Sequence, residues 1–413
     1  MIDEYLYKLF TNSLIFKGYE PNAGELRTFF KNQAEDCAKE LSLPNQKALV
    51  DFLIATDYSK LGSLFSKFPL VEIFYLINSL DEYKASASSF DELGRLQFKN
   101  SVRSKIGIEN NLVLQKILQC HSQYLELKNN LKITNHNSYF FLSHDIDSIH
   151  GSFLQDGLWA AKKGRLDIIF TLLANAASSK PHWFNMDIIQ KTESEYDFKS
   201  TFYWLANKGK IDKRQTNADY DINSGKVKDG IKNLSAAGFE HGLHKSISNE
   251  SFNQELTKVP FKTNGNRYHY LKFKLPEAYQ EIEKSDLKLD ASLGFAEHYG
   301  FRNNYGYPFH PYNTESGKPH SFLEVPLNCM DGTFQRYMKI PVHETASTII
   351  QFLEKNNTNC LLSVLWHNTF FSNYKYKGYL AEYKKILQYL YESKFQNINQ
   401  SQIIETFSWK TEQ

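Results

Sequence analysis

From residue 139 onward, segments with the pattern of β-strands alternate with segments that have the spacing of α-helices. Helical spacing dominates at 152–177, 224–237 and 377–393. Short apolar or aromatic runs typical of strands lie between and around them, at 139–143, 200–205, 239–243, 267–273 and 360–365. Alternation of this kind indicates parallel strands that are connected by helices. It leaves two architectures open, a barrel and a doubly wound sheet.

The first part of the chain has a different pattern. Apolar residues recur there at helical spacing in four segments, 25–42, 45–56, 60–80 and 110–128. With 413 residues the chain exceeds one average domain. We therefore predict a smaller, mainly helical N-terminal domain at 1–132 and a larger α/β domain at 133–413.

Positive and negative charges are nearly balanced, because 48 Lys and Arg residues against 46 Asp and Glu residues give a net charge of +2. This balance argues against a nucleic-acid-binding surface. No apolar run is long enough to cross a membrane, and the acidic start at 1–4 is unlike a secretory leader. The cysteines form no C-x-x-C pair, which is typical of a reducing compartment. We expect a cytoplasmic protein without a membrane span.

Two carboxylates end the first strand of the alternating region. Asp145 and Asp147 follow the aromatic run 139–142, and residues two apart in a strand project from the same face. In α/β sheets the carboxyl ends of the strands carry the chemistry. The pair could supply a metal ligand and a general base, or it could act as the carboxylate pair of a metal-free glycosidase. It could also be a simple turn after the strand.

Other polar side chains follow the remaining predicted strands. His244 ends the segment 238–244, Arg267 and His269 share a strand face, and His367 follows the run 360–365. Each alone could be a packed or hydrogen-bonded structural residue. Together they favour a metal-assisted hydrolase, which needs ligands, a base for water and an acid for the leaving group.

The ordered motifs HDID, GFEHGLH, RYHYLKF, LDASLGFAEHYGFR and LSVLWHN resemble the polysaccharide deacetylase (NodB-homology) superfamily, the family-four carbohydrate esterases. The resemblance covers roughly residues 138–395. The segment 91–95 is similar to the D-x-x-G-R signature of a subgroup with an extra N-terminal domain. The resemblance implies a distorted (β/α) barrel of about seven parallel strands. It also implies removal of an N-acetyl group from an amino sugar, a glycan or a glycan precursor.

The resemblance further implies a role for each matched residue. Asp145 would be the base, oriented by Arg267. His367 would be the acid, tuned by Asp290. The expected ligands of a divalent metal, with zinc preferred, include Asp147 and His244. The expected contacts to the carbohydrate are Trp366, Arg302 and Tyr270.

One position departs from the family pattern. The family's second metal histidine lies four residues after the first, where this chain has Ser248. Either His269 or His241 could complete the metal site, and we favour His269 because the odd offset from His244 turns His241 to the opposite strand face. A site left incomplete by Ser248 would indicate a catalytically weak or inactive carbohydrate-binding relative.

Overall fold

A computed structural model describes residues 1–16, 22–151, 153–177, 183–211, 216–372 and 375–410. Residue 152, the predicted start of a helical stretch, lies outside this part of the chain. The main sheet consists of strands that all pair in parallel. In the described residues the strands are β1 (Tyr139–Ile146), β2 (Ser200–Leu205), β3 (Glu240–Lys245), β4 (Gly265–Tyr268), β5 (Leu289–Asp290), β6 (Tyr312–Asn313), β7 (Lys318–Pro319), β8 (Leu323–Glu324), β9 (Cys329–Met330), β10 (Leu361–Leu365) and β11 (Gln396–Asn397).

The strand order decides between the two architectures. Along the sheet it is β8-β5-β4-β3-β2-β1-β10-β9, with β11 added beside β1 and with β6 and β7 forming a separate hairpin. Successive strands of the chain are therefore neighbours around a curled sheet, which opens between β8 and β9. A doubly wound sheet would instead reverse its order at a switch point. The predicted distorted (β/α) barrel is confirmed, with eight strands along the path rather than about seven.

Helices dominate the N-terminal region, as predicted. They are α1 (Ile2–Asn12), α2 (Ala23–Glu40), α3 (Gln46–Ala55), α4 (Gly62–Lys67), α5 (Pro69–Ile77), α6 (Arg103–Ile106), α7 (Leu112–Gln123) and α8 (Leu125–Asn130). The single helix predicted at 60–80 is divided, because Pro69 begins α5 and proline cannot donate the backbone hydrogen bond that would continue α4.

The helices around the sheet alternate with its strands. They are α9 (Phe153–Lys162), α10 (Leu166–Ala177), α11 (Met186–Ser194), α12 (Gly225–Ala236), α13 (Phe252–Leu256), α14 (Glu277–Glu283), α15 (Val342–Lys355), α16 (Tyr379–Glu392) and α17 (Gln400–Phe407). Gly238 follows α12 with a φ of +83°, a left-handed conformation that favours glycine, and β3 starts two residues later. Within the described residues, every helix is too short or too polar for a bilayer span.

The N-terminal helices and the barrel share one apolar core. Phe74 of α5, for example, packs edge-on against Tyr312 of β6, with ring centroids 4.9 Å apart. The polar stretch at 299–321 lies largely buried between these two regions. Side-chain amides join it to the N-terminal region, since Asn303 and Asn304 donate to the backbone carbonyls of Ile77 and Gly107. The boundary at residue 132 stays a prediction.

Candidate active site

One cavity of about 360 Å³ opens at the carboxyl ends of the strands. The sequence predicts this location, because parallel strands present their ends at one edge of the sheet. Polar and aromatic side chains from both regions of the chain line the cavity. Among them are Arg95, Asp145, Asp147, Trp183, His244, His269, Tyr270, Arg336, His367, Phe370, Lys375 and Tyr376.

Asp147, His244 and His269 form a possible metal-binding triad, in which the three ligand atoms lie within 4.8 Å of one another. The carboxylate Oδ1 of Asp147 is 3.2 Å from Nε2 of His244 and 3.4 Å from Nδ1 of His269. The two ring nitrogens are 3.1 Å apart. Strand β3 carries His244, and the other two residues directly follow β1 and β4.

Backbone carbonyls determine which nitrogen of each imidazole faces the centre of the triad. Nδ1 of His244 lies 2.9 Å from the carbonyl oxygen of Arg267, and Nε2 of His269 lies 2.9 Å from that of Thr216. A carbonyl oxygen only accepts hydrogen bonds, so both of these nitrogens carry a proton and donate it. In neutral rings the lone pairs therefore point into the triad. Outer hydrogen bonds of this kind orient metal-binding histidines.

The donor set fits a divalent transition metal such as zinc. Tetrahedral zinc with bonds of roughly 2.0–2.1 Å separates its ligand atoms by roughly 3.3–3.4 Å, close to the three distances observed here. The Oδ1 atom of Asp147 is buried and has no hydrogen-bond partner among the described residues, which a cation would satisfy. Burial raises the pKa of Asp147, but His269 and His244 outweigh it and hold the pKa well below its usual value.

The two open questions about the third ligand have geometric answers. His241 lies on the other face of β3, where it accepts a hydrogen bond from Trp204 and contacts Ser235 of α12. Burial lowers its pKa to about 4, so the ring stays neutral. Ser248 belongs to a separate hydrogen-bond network with Ser246 and Asn207. The geometry thus favours His269 as the group that joins Asp147 and His244.

Asp145 is paired with Arg267, as the motif implies. Nη1 of Arg267 donates to Oδ1 of Asp145 at 2.8 Å, and both side chains are buried. Arg267 is itself fixed, because its Nε donates to the carbonyl of Ala291 and its guanidinium lies over the ring of Tyr203. Burial raises the pKa of Asp145, but the charge of Arg267 outweighs it and lowers the pKa. The carboxylate is therefore ionised at neutral pH and available as a base.

His367 is held by Asp331, not by the predicted Asp290. Asp331 accepts hydrogen bonds from the backbone N–H of His367 at 2.6 Å and from its Nδ1 at 2.7 Å. The other ring nitrogen, Nε2, faces the cavity at 3.8 Å from Asp147. Burial lowers the pKa of His367, but Asp331 and the aspartates of the cavity outweigh it and raise the pKa to about 9. This histidine is therefore protonated at neutral pH.

The prediction that Asp290 tunes His367 is wrong. Asp290 ends β5, where it accepts hydrogen bonds from Asn266 and Ser292 and lies in register with Glu324 of β8. Burial raises the pKa of Asp290 to about 6 and that of Glu324 well above its usual value. The two carboxyl groups belong to the buried sheet, and neither is among the residues that line the cavity.

Two of the three predicted substrate contacts also lie elsewhere. Arg302 is buried against the N-terminal region, where Nη2 is 2.7 Å from Glu82. Trp366 is fully buried and packs against Tyr383 of α16, since neighbouring residues in the extended chain before His367 point to opposite sides. Tyr270 does line the cavity, and its ring packs on His269 with centroids 3.9 Å apart.

Two residues at or directly behind the cavity wall were not revealed as site residues by the sequence patterns. Asp331 follows β9, a strand of two residues that is too short to show alternation. Arg95 is the last residue of the D-x-x-G-R signature. The sequence shows this motif, but it does not show that Arg95 lines the cavity. Its guanidinium pairs with Asp91 at 2.6 Å and donates to the carbonyl of Tyr270 at 3.2 Å. Through Arg95 the N-terminal region forms part of the cavity wall.

Neither a protein-family model nor a curated protein matches the sequence. Similar solved structures include polysaccharide, peptidoglycan and chitin deacetylases. A Mycobacterium smegmatis protein assigned as a polysaccharide deacetylase is 12% identical, over 67% of this chain and 95% of its own, with a TM-score of 0.40. The chitin deacetylase of Colletotrichum lindemuthianum is 11% identical, over 65% and 88%, with a TM-score of 0.34. A 4-alpha-glucanotransferase from Thermococcus litoralis is 11% identical, over 66% and 39%, with a TM-score of 0.39. At these scores the likeness carries no functional argument, and the proposal below rests on the side chains of the cavity.

Proposed function

We propose that this protein is a metal-dependent hydrolase that removes the acetyl group from an acetamido sugar. The observation that carries the proposal is the meeting of three different groups in one cavity. These groups are a triad of metal-ligand type, an ionised carboxylate and a protonated imidazole. Amide hydrolysis needs all three, because water must lose a proton, the carbonyl must be polarised and the departing nitrogen must gain a proton.

Asp147, His244 and His269 would hold the metal ion. A divalent ion such as zinc supplies Lewis-acid polarisation of the carbonyl and lowers the pKa of water. The side chains of the triad fix where the acetamide group binds. Their outer partners, the carbonyls of Arg267 and Thr216, keep the ring nitrogens aimed at that point.

Asp145 is the proposed base. Its Oδ1 is occupied by Arg267, which leaves Oδ2 to accept the proton of the attacking water. Oδ2 lies 3.6 Å from Nε2 of His244, so it borders the triad. The water oxygen forms a bond to the carbonyl carbon as its proton passes to Asp145. Arg267 orients the carboxylate and keeps it ionised before the reaction.

His367 is the proposed acid. Asp331 holds its Nδ1 and leaves the Nε2–H directed into the cavity. When the carbon–nitrogen bond breaks, Nε2 gives its proton to the leaving nitrogen. The products are acetate and the free amino sugar. His367 follows β10 and Asp145 lies on the neighbouring strand β1, and as separate groups one can take a proton while the other gives one.

Aromatic side chains suit a carbohydrate substrate. Trp183, Tyr270, Phe370 and Tyr376 line the same cavity as the triad. Sugar rings present apolar C–H faces that pack well on aromatic rings, and tyrosine adds a polar group. A binding-only relative would need the aromatic wall but not the base and acid. The presence of a complete donor set with His269 supports the enzyme instead.

The proposal is tested by measuring acetate release from acetamido sugars with protein that is stripped of metal and then reloaded with zinc. We expect activity that depends on one equivalent of metal and is abolished by a chelator. Activity that persists in chelator would favour a glycosidase that uses the two aspartates alone. Failure to bind zinc, combined with saturable binding of a chito-oligosaccharide, would favour the binding-only relative.

A further inference from the structure

Besides the protonated His367, three Arg and Lys side chains line the cavity, and two of them already have carboxylate partners. Arg95 pairs with Asp91, and Lys375 lies 3.3 Å from Asp156 of α9. Asp91 and Asp156 do not line the cavity, so the charges of Arg95 and Lys375 are compensated by carboxylates outside its lining. The remaining cation is Arg336.

Arg336 has no carboxylate within ion-pair distance among the described residues. Burial lowers the pKa of Arg336, but Tyr376 and, through space, Asp331 and Asp147 outweigh it and raise the pKa. Those two aspartates are themselves occupied by His367 and by the metal triad. Arg336 therefore stands beside the reacting centre with most of its five N–H donors unused.

The backbone that carries Arg336 has an unusual helical conformation. Residues Thr333–Tyr337 form a short π-helical turn directly after Asp331. The turn is anchored by Thr333, which donates to the carbonyl of Ala296, and by Tyr337, whose hydroxyl accepts a hydrogen bond from Arg95. Single π-helical turns widen the helix locally and are frequent at functional sites. Here the turn places Arg336 at the cavity mouth while its neighbours remain fixed.

We propose that Arg336 binds an oxyanion, a phosphate or a carboxylate, carried by the acetamido sugar. This inference rests on the proposed function and narrows its substrate to an anionic saccharide. A guanidinium recognises such groups through two parallel charge-assisted hydrogen bonds. A neutral sugar needs no guanidinium, because uncharged side chains can form hydrogen bonds with its hydroxyl groups. The charge on Arg336 would also steer anionic substrates towards the cavity.

The test compares three probes with zinc-loaded protein: neutral di-N-acetylchitobiose, N-acetylglucosamine 1-phosphate and N-acetylmuramic acid, which carries a carboxylate. Two quantities are measured. The first is the ratio of kcat/KM for each anionic probe to kcat/KM for the neutral probe, and the second is the Kd of each probe by calorimetry. Arg336→Gln removes the charge, and we expect the ratio and the affinity for an anionic probe to fall about 10-fold or more. Arg165→Gln, outside the cavity lining, is the matched control and should change neither value.

The outcomes separate the two proposals. A preference for the phosphate probe that is lost in Arg336→Gln supports the inference and identifies the anion as a phosphate. A preference for the carboxylate probe that is lost in Arg336→Gln supports it and identifies the anion as a carboxylate. Equal ratios in the wild type and in Arg336→Gln overturn it while leaving a deacetylase. If no probe releases acetate, the proposed function fails. Calorimetry then tests the anion site independently of activity. If the Kd of both anionic probes is unchanged in Arg336→Gln, Arg336 does not bind the anion.

Discussion

The two sides of the cavity are built in different ways. On one side, β1, β3 and β4 are neighbours or near neighbours in the sheet, with four to eight residues each, and carry Asp145, His244 and Arg267. On the other side, Asp331 follows β9, which has two residues, and His367 lies beyond the end of β10. The first side contains the triad and the base, whereas the second contains the acid.

The difference shows two ways to place a functional side chain. On the triad side, strand pairing fixes the backbone, and the period of two selects which side chains reach the cavity. On the acid side, side-chain hydrogen bonds replace regular structure, since Asp331 binds both the backbone and the ring of His367. We therefore expect substitutions on the first side to remove metal or chemistry outright, and those on the second side to change protonation.

The largest effect is expected for Asp145→Asn. The amide keeps the shape of the side chain but cannot accept a proton from water, so turnover should fall about 10²–10⁴-fold, the range for a general base. Metal content should be retained, because Asp145 is outside the triad. Acetate release and metal analysis on the same sample measure both. Joint loss of metal and activity would show that Asp145 is a ligand rather than the base.

Replacement of the third ligand distinguishes the two histidines that could complete the metal site, His269 after β4 and His241 on β3. His269→Gln should lower zinc affinity about 100-fold or more, since loss of an outer partner alone costs 10–100-fold. The matched control is His241→Gln, which should keep zinc affinity because that ring faces α12. Competition with a chromogenic chelator gives both values. Normal zinc binding in His269→Gln would contradict the assignment of the triad.

On the acid side, Asp331→Asn should move the alkaline limb of the pH–rate profile. His367 must be protonated to act as the acid, and activity is lost as the pH rises through its pKa of about 9. Loss of the Asp331 charge lowers that pKa, so the decline should begin at a lower pH, by about one unit or more. The control Asp290→Asn should leave the limb in place. A shift in the control alone would restore Asp290 as the partner of His367.

The smallest effect concerns stability rather than turnover. The folded state raises the pKa of Glu324 well above its usual 4.5, so it favours the protonated form. Glu324 therefore contributes stability at pH values below its pKa in the unfolded chain. This contribution is lost as the pH rises through its pKa in the folded protein. Glu324→Gln imitates the protonated form, and its urea midpoint should fall less between pH 5 and pH 8 than that of the wild type. The control Glu35→Gln, at a partly exposed helical position, should match the wild type, and equal slopes in all three proteins would contradict the assignment.

Much of the triad side could be predicted from the sequence. Strand β2 was predicted with its observed bounds, and β1, β3 and β10 were predicted within a few residues at each end. His244, Arg267 and His269 were expected at strand ends, and the cavity contains His244 and His269 while Arg267 reaches Asp145. These predictions rest on short apolar or aromatic runs of five to seven residues, whose ends are visible in the sequence.

The failures share a cause. Asp331 was missed and Asp290 was misassigned because Asp331 follows, and Asp290 ends, a strand of two residues, where no period can be counted. Arg302 was expected to contact substrate, but its charge is used inside the protein by Glu82, far away in the sequence. Trp366 was expected to contact the carbohydrate from the family resemblance, but it packs on α16. Sequence proximity does not show which way a side chain turns outside a regular strand.

The amino-acid sequence alone specifies the alternation of strands and helices, and it indicates that Asp145, Asp147 and His244 belong to one edge of a sheet. These are local properties, because periodicity and strand ends depend on residues that are close in the chain. Only the tertiary structure places His269 against His244 in the triad, selects Asp331 over Asp290, and brings Arg95 to the cavity from the N-terminal region. Those contacts join residues that are distant in sequence, so they depend on how the barrel curls and on what packs against it.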